Sequence, residues 1–68
     1  MTITISLNGE SRNVAHGTSI TDLLSQLDVD SSLVAIAINQ VFVPRDQHAQ
    51  HIIQDNDTID ALSPVQGG

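Results

Sequence analysis

Cysteine and lysine are missing from this 68-residue chain, and Phe42 is its one aromatic residue. Without cysteine there is no disulfide, no thiol nucleophile and no thiolate zinc site, so the core has to be hydrophobic packing alone. Without lysine, eight Asp and Glu face two Arg, for a formal charge of -6. That charge repels phosphate backbones and anionic lipid headgroups, which argues against nucleic acid and membrane partners. It also steers the chain toward basic protein surfaces, although a soluble acidic surface with no such role reads the same way. No apolar stretch approaches the roughly 18 residues of a membrane span. The start, MTITISLNGE, alternates polar and apolar residues instead of pairing a basic start with an apolar run. The expected setting is the cytoplasm or another reducing compartment.

Hydrophobic residues make up 40% of the chain and charged ones 15%, a globular composition. At this length a chain hides only about 60% of its unfolded surface, enough for one core and too little for a deep catalytic cleft. Residues 2–7 keep period-two alternation, which puts Ile3, Ile5 and Leu7 on one face of a strand. Asn8-Gly9 suits the positive φ angles of a type I′ turn, and a second strand is expected over about Ser11 to Ala15, with Val14 inward. Gly17 breaks that strand. Thr18 or Ser19 then caps a helix, Asp22 supports its N-terminus, and Ile20, Leu23, Leu24 and Leu27 form an apolar stripe about two and a half turns long.

Residues 28–32 read as a polar connection and 33–38, LVAIAI, as a strand. Its unbroken apolar character means burial on both faces, or large residues on one face opposite small Ala35 and Ala37 on the other. Asn39-Gln40 makes a turn into a short strand at 41–43 that Pro44 ends. Residues 45–54 show no strand period, and 54–57 are turn-forming residues leading into a last strand, about Thr58 to Leu62. The pattern predicts an α+β domain with one helix on a mixed four- to five-stranded sheet.

Candidate chemistry is thin. His48 and His51 are spaced for one side of a helical turn, but two imidazoles do not complete a metal site, and both are expected on the surface of an irregular connector. Asp55, Asp57 and Asp60 lack the Gly and closing Glu of a calcium loop and fit a turn before a strand. No Ser or His lies in a recognisable nucleophile motif. The chain ends SPVQGG. Two glycines beyond the last strand add nothing to stability. They are a frayed terminus, or they present a carboxylate on an arm without side chains, able to enter a narrow channel, attack the α-phosphate of a nucleotide held there and become an acyl-adenylate.

The segment VAIAINQ at 34–40, VPR at 43–45, then Gln47, Ala49, Ile52, Asp57, Ile59 and the terminal Gly-Gly resemble the ThiS family of sulfur carriers in thiamin biosynthesis, along the whole chain. The resemblance implies a ubiquitin-like β-grasp domain over 1–63 and a flexible tail over 64–68. It implies that a ThiF-type adenylyltransferase, using ATP and magnesium, adenylates Gly68. Sulfur linked to a cysteine desulfurase then forms a thiocarboxylate, and the thiazole synthase ThiG takes the sulfur. The chain would be a protein cosubstrate, neither an enzyme nor the holder of a cofactor, with Gly67 and Gln66 carrying Gly68 into both active sites. The small subunit of molybdopterin synthase and a ubiquitin-like modifier share this fold and tail. On the same analogy Phe42, Leu62 and Val65 form the partner-binding patch, with Phe42 as a core residue the competing expectation. The missing Lys and Cys would keep an activated carboxyl from being intercepted within the chain, or reflect chance composition. Two residues depart from the family pattern: Asp60 would interrupt the last strand where many members are apolar, and Pro64 would shorten its pairing, freeing the chain from as early as Ser63.

Overall fold

A computed structural model of the chain describes residues 1–62, the side chain of residue 31 excepted. Two hairpins supply four of its five strands. In the first, β1 (Thr2–Leu7) pairs antiparallel with β2 (Glu10–Ala15). Their turn has φ of 51° at Asn8 and 85° at Gly9, the left-handed pair a type I′ hairpin needs. In the second, β3 (Ala35–Ile38) pairs with β4 (Val41–Val43), and Asn39 and Gln40 both adopt positive φ, 52° and 72°.

Gln40 is a poor residue for that conformation, because its Cβ crowds the following carbonyl. Its side chain is exposed. Gln40→Gly should therefore stabilise the domain by about 0.5–1 kcal/mol, the relieved strain outweighing the extra freedom of glycine in the unfolded chain. A lower thermal midpoint than the parent would contradict this.

Between the hairpins runs α1 (Ile20–Gln26). It is closed at its start by a capping box: Ser19 Oγ accepts from Asp22 N at 3.0 Å, and Asp22 Oδ2 accepts from Ser19 N at 3.4 Å. Ile20, Leu23 and Leu24 are buried in one cluster with Ile3, Ile5, Leu7, Val14, Ile36, Ile38, Val43, Ile53 and Ile59. The connector after β4 is tied to the start of the helix, since Thr21 N donates to His48 O, Ile20 N to His51 O and Ile53 N to Thr18 O.

The strand order is β2-β1-β5-β3-β4, which sets β5 (Thr58–Leu62) in the centre, parallel to β1 and antiparallel to β3. Helix and cluster cover one face. Because side chains alternate along each strand, the opposite face carries Thr4, Ser6, Ser11 and Asn13 on one half and Ala35, Ala37, Phe42, Asp60 and Leu62 on the other.

Four expectations are corrected. The helix has 7 residues, about two turns, because Leu27 is its C-cap and Asp28 turns left-handed at φ 59°. Leu33 is not in a strand. It ends a 3₁₀ turn (Ser31–Leu33) that Asp30 caps, and it is half exposed. His48 is not on the surface; it is 2% exposed. Asp60 does not interrupt the last strand, which pairs with β3 through Leu62.

Candidate functional site

Among the described residues the isolated acids and imidazoles serve the fold. Asp57 is buried, accepting from Gln54 N at 2.9 Å and Asn39 Nδ2 at 3.0 Å, and so fastens the β3–β4 turn to the turn before β5. Asp55 Oδ1 accepts from Thr4 N at 2.8 Å. His48 tucks beneath β4, where Nε2–H donates to Val43 O at 3.0 Å and Nδ1 is left without a partner. Its ring is thus separated from any role shared with His51. No three His, Asp or Glu of the described residues converge on a metal-sized site. Nor is any described histidine ring hydrogen-bonded to a hydroxyl or carboxylate, as a base activating a nucleophile would be.

The cavities fit this picture. A cleft of about 450 Å³ lies between the end of α1 and the sheet, lined by Leu7, Leu24, Leu27, Val29, Val34 and Ala61, with Asp28 and Asp30 also on its walls. It contains no nucleophile. No helix of the described residues is long and apolar enough to cross a membrane.

What remains is the uncovered half of the sheet. Phe42 stands opposite Ala37, which stands opposite Asp60, a row across β4, β3 and β5. One pleat further along, Ala35 faces Leu62. Phe42 is 63% exposed and Leu62 65%, so two large apolar side chains flank a strand of small ones. The alanines between them, both partly buried, add only methyl groups to that face. Phe42 is therefore surface and not core. Phe42→Ala should change folding stability by no more than about 0.5 kcal/mol, as for surface positions generally. Unfolding of that variant at room temperature would contradict the placement.

Leu62 also closes the described residues. Val65, Gln66, Gly67 and Gly68, the remaining site residues expected from the sequence, lie outside them, as does Pro64. The patch and the last strand thus share a residue at the point where the described chain stops.

The profile of the ThiS family matches residues 5–68. The chain belongs to the ThiS family. It is 44% identical over 64 residues to the sulfur carrier protein ThiS of Escherichia coli (strain K12), which spans 94% of this chain and 97% of that one. It is 36% identical over 62 residues to a thiazole synthase of Paramagnetospirillum magneticum, covering 91% of this chain but 19% of that protein. The crystal structure of the thiamine biosynthesis protein (ThiS) of Geobacter metallireducens superposes with a TM-score of 0.84 at 26% identity, over 97% of this chain and all of that one.

Within this ThiS family member, sequence reasoning missed one surface feature and one internal contact. Asp60 was read as interrupting the last strand, yet Thr58, Asp60 and Leu62 alternate with inward Ile59 and Ala61, and that period places Asp60 on the same face as Phe42 and Leu62. Asn8, which the sequence marks as a turn residue, also reaches β5 through its side chain.

Proposed function

We propose that the chain is a sulfur carrier protein of thiamin biosynthesis, with the carboxylate of Gly68 as the carried group. The observation that supports it most strongly is likeness to a protein named as a sulfur carrier along nearly the full length of both. The fold agrees, since it superposes on that of a protein named ThiS and leaves Phe42 and Leu62 exposed. The chain is acted on by enzymes and is not one.

The chemistry is acyl substitution. In the active site of a ThiF-type adenylyltransferase, which uses ATP and magnesium, the Gly68 carboxylate attacks the α-phosphate and pyrophosphate leaves. The outer sulfur of a desulfurase-derived persulfide then attacks the acyl carbon and AMP leaves; a thiol reduces the resulting acyl disulfide, releasing the thiocarboxylate and leaving a disulfide on the donor side. A thiazole synthase of the ThiG type accepts the sulfur, a reading supported by the segment shared with a protein named thiazole synthase. Gly67 and Gln66 pass through the partner's channel, residues 64–68 act as a tail on a domain of 1–63, and the cytoplasm is the compartment. Phe42 and Leu62, with Val65, form the docking patch, so Phe42→Ala should weaken adenylyltransferase binding while the domain stays folded.

The test is an intact mass. Incubation with ATP, magnesium, the adenylyltransferase and sulfide should add about 16 Da, the exchange of one carboxyl oxygen for sulfur. No gain with any such enzyme would defeat the reading, and adducts on lysines of other proteins would make the chain a modifier.

A further inference from the structure

Asn8 does two things at once. Its backbone, at φ 51°, is the first left-handed residue of the β1–β2 turn. Its side chain crosses to the far end of the chain, where Oδ1 accepts from Ala61 N at 2.8 Å. Its own N–H donates to Ile59 O at 2.9 Å.

The turn requires none of this reach. Asn-Gly, Asp-Gly and Gly-Gly all suit a type I′ hairpin, so the side-chain carbonyl is surplus to the local geometry. It is not surplus to β5. The parallel pairing of β1 with β5 runs Ser6↔Thr58 and Leu7↔Ile59 and stops there, because β1 turns away into β2. Beyond that point Ala61 N–H would have no acceptor on the β1 side. The Asn8 carbonyl stands where the next strand carbonyl would have been. On the other edge β3 holds β5 through Ala35↔Leu62. Asn8 thereby fixes both edges of β5 to within one residue of Leu62.

We infer that Asn8 is a positioning residue for the carrier reaction: by holding Ala61 it fixes the end of the described β5, at Leu62 beside Phe42, from which Gly68 has to be delivered. The inference rests on the sulfur-carrier reading above. Leu62 and Gly68 are six residues apart, at most about 20 Å of extended chain, so a partner docked on that face has a short and bounded span to its active site. Releasing Ala61 adds backbone freedom at the root of that span, which must be removed at each loading event.

Two variants separate this role from the turn. Asn8→Gly keeps the turn and removes the acceptor; Asn8→Asp keeps both. In the full chain, amide hydrogen exchange at Ala61 should quicken in N8G and remain protected in N8D. The initial rate of the ATP- and sulfide-dependent mass gain should fall roughly two- to tenfold in N8G, the range one hydrogen bond spans, and stay at the parent rate in N8D. Both should give the parent's circular dichroism at the assay temperature. Unchanged Ala61 exchange in N8G, or parental loading of N8G despite fast exchange, would overturn the inference. So would loss of loading in an N8D chain whose Ala61 stays protected. A parent chain that is never loaded is a different result, and it removes the carrier reading itself.

Discussion

A chain ending at Gly67 should show no detectable 16 Da gain, although it still ends in a glycine carboxylate of the same reactivity. The reason is reach. Removing one residue withdraws the carboxylate by about 3.3–3.6 Å, a distance equal to the whole near-attack separation of about 3–3.5 Å. A misplacement of roughly 1 Å already costs about a hundredfold in rate, so a full residue puts the reaction below detection unless the docked domain follows the tail inward. The proposed docking on the sheet face would prevent that, because Phe42 and Leu62 would stay seated where they are. The described pairings of β5 reach Leu62, six residues before the one removed, and the shortened chain should melt at the parental temperature. Gly67→Val probes width instead of length: a branched Cβ narrows the backbone choices and thickens the arm where a channel would surround it. It should be loaded at least tenfold more slowly, the least expected of an obstructed near-attack geometry. Normal loading of the chain ending at Gly67 would mean that the carboxylate is not delivered through a channel of fixed depth.

Local chemistry made much of this molecule legible. The alternation of 2–7, the Asn8-Gly9 turn, the Ser19 cap and the stripe from Ile20 each state their structure within a few residues. The sequence left 33–38 either buried on both faces or split into a large face and an alanine face; the structure has the split over 35–38, with the alanines on the face of Phe42. What failed depends on partners distant in sequence or on competition within a turn. Nothing around RDQHAQH marks His48 as buried, since its burial follows from the 3₁₀ turn at Arg45–Gln47 folding beneath Val43. Leu33 looks like strand because its neighbours are apolar, but Asp30 Oδ1 takes both the N–H and the hydroxyl of Ser32, at 2.9 and 2.7 Å, and that local bonding holds the chain in a turn. The same bonds, with a smaller contribution from Arg45, hold the Asp30 carboxyl below its ordinary 3.8. Its folded pKa being depressed, Asp30 supports the fold above the ordinary carboxylate range and ceases to do so as pH falls through the depressed value. The central place of β5 could not be read at all. It arises from pairing Leu7 with Ile59, a choice made by the whole core and not by any window of sequence.

That central place makes Ile59→Ala the most damaging single truncation expected in the domain. Ile59 is 0% exposed and lies in one row between Leu7 on β1 and Ile38 on β3, so no neighbouring strand can shift to fill the gap without losing its own register. Truncations of this kind cost about 2–5 kcal/mol. A domain of this size has only about 3–10 kcal/mol in total, at roughly 0.05–0.15 per residue. The variant should therefore be largely or partly unfolded at 37 °C, and in urea its midpoint should fall by about 3 M, taking a loss near 3 kcal/mol and a slope of about 1 kcal/mol/M. Ile59→Val, which keeps most of the volume, should lose about 0.5–1.5 kcal/mol, a drop of several degrees in thermal midpoint. Phe42→Ala supplies the contrast, removing more atoms from a side chain that the fold does not enclose. If Phe42→Ala and Ile59→Ala lower the urea midpoint equally, the assignment of one face to the core and the other to partners is wrong. If they separate as expected, Ile59→Ala protein held folded at low temperature should still be loaded with sulfur, because Ile59 points into the core, on the opposite face of the sheet from the proposed docking residues Phe42 and Leu62.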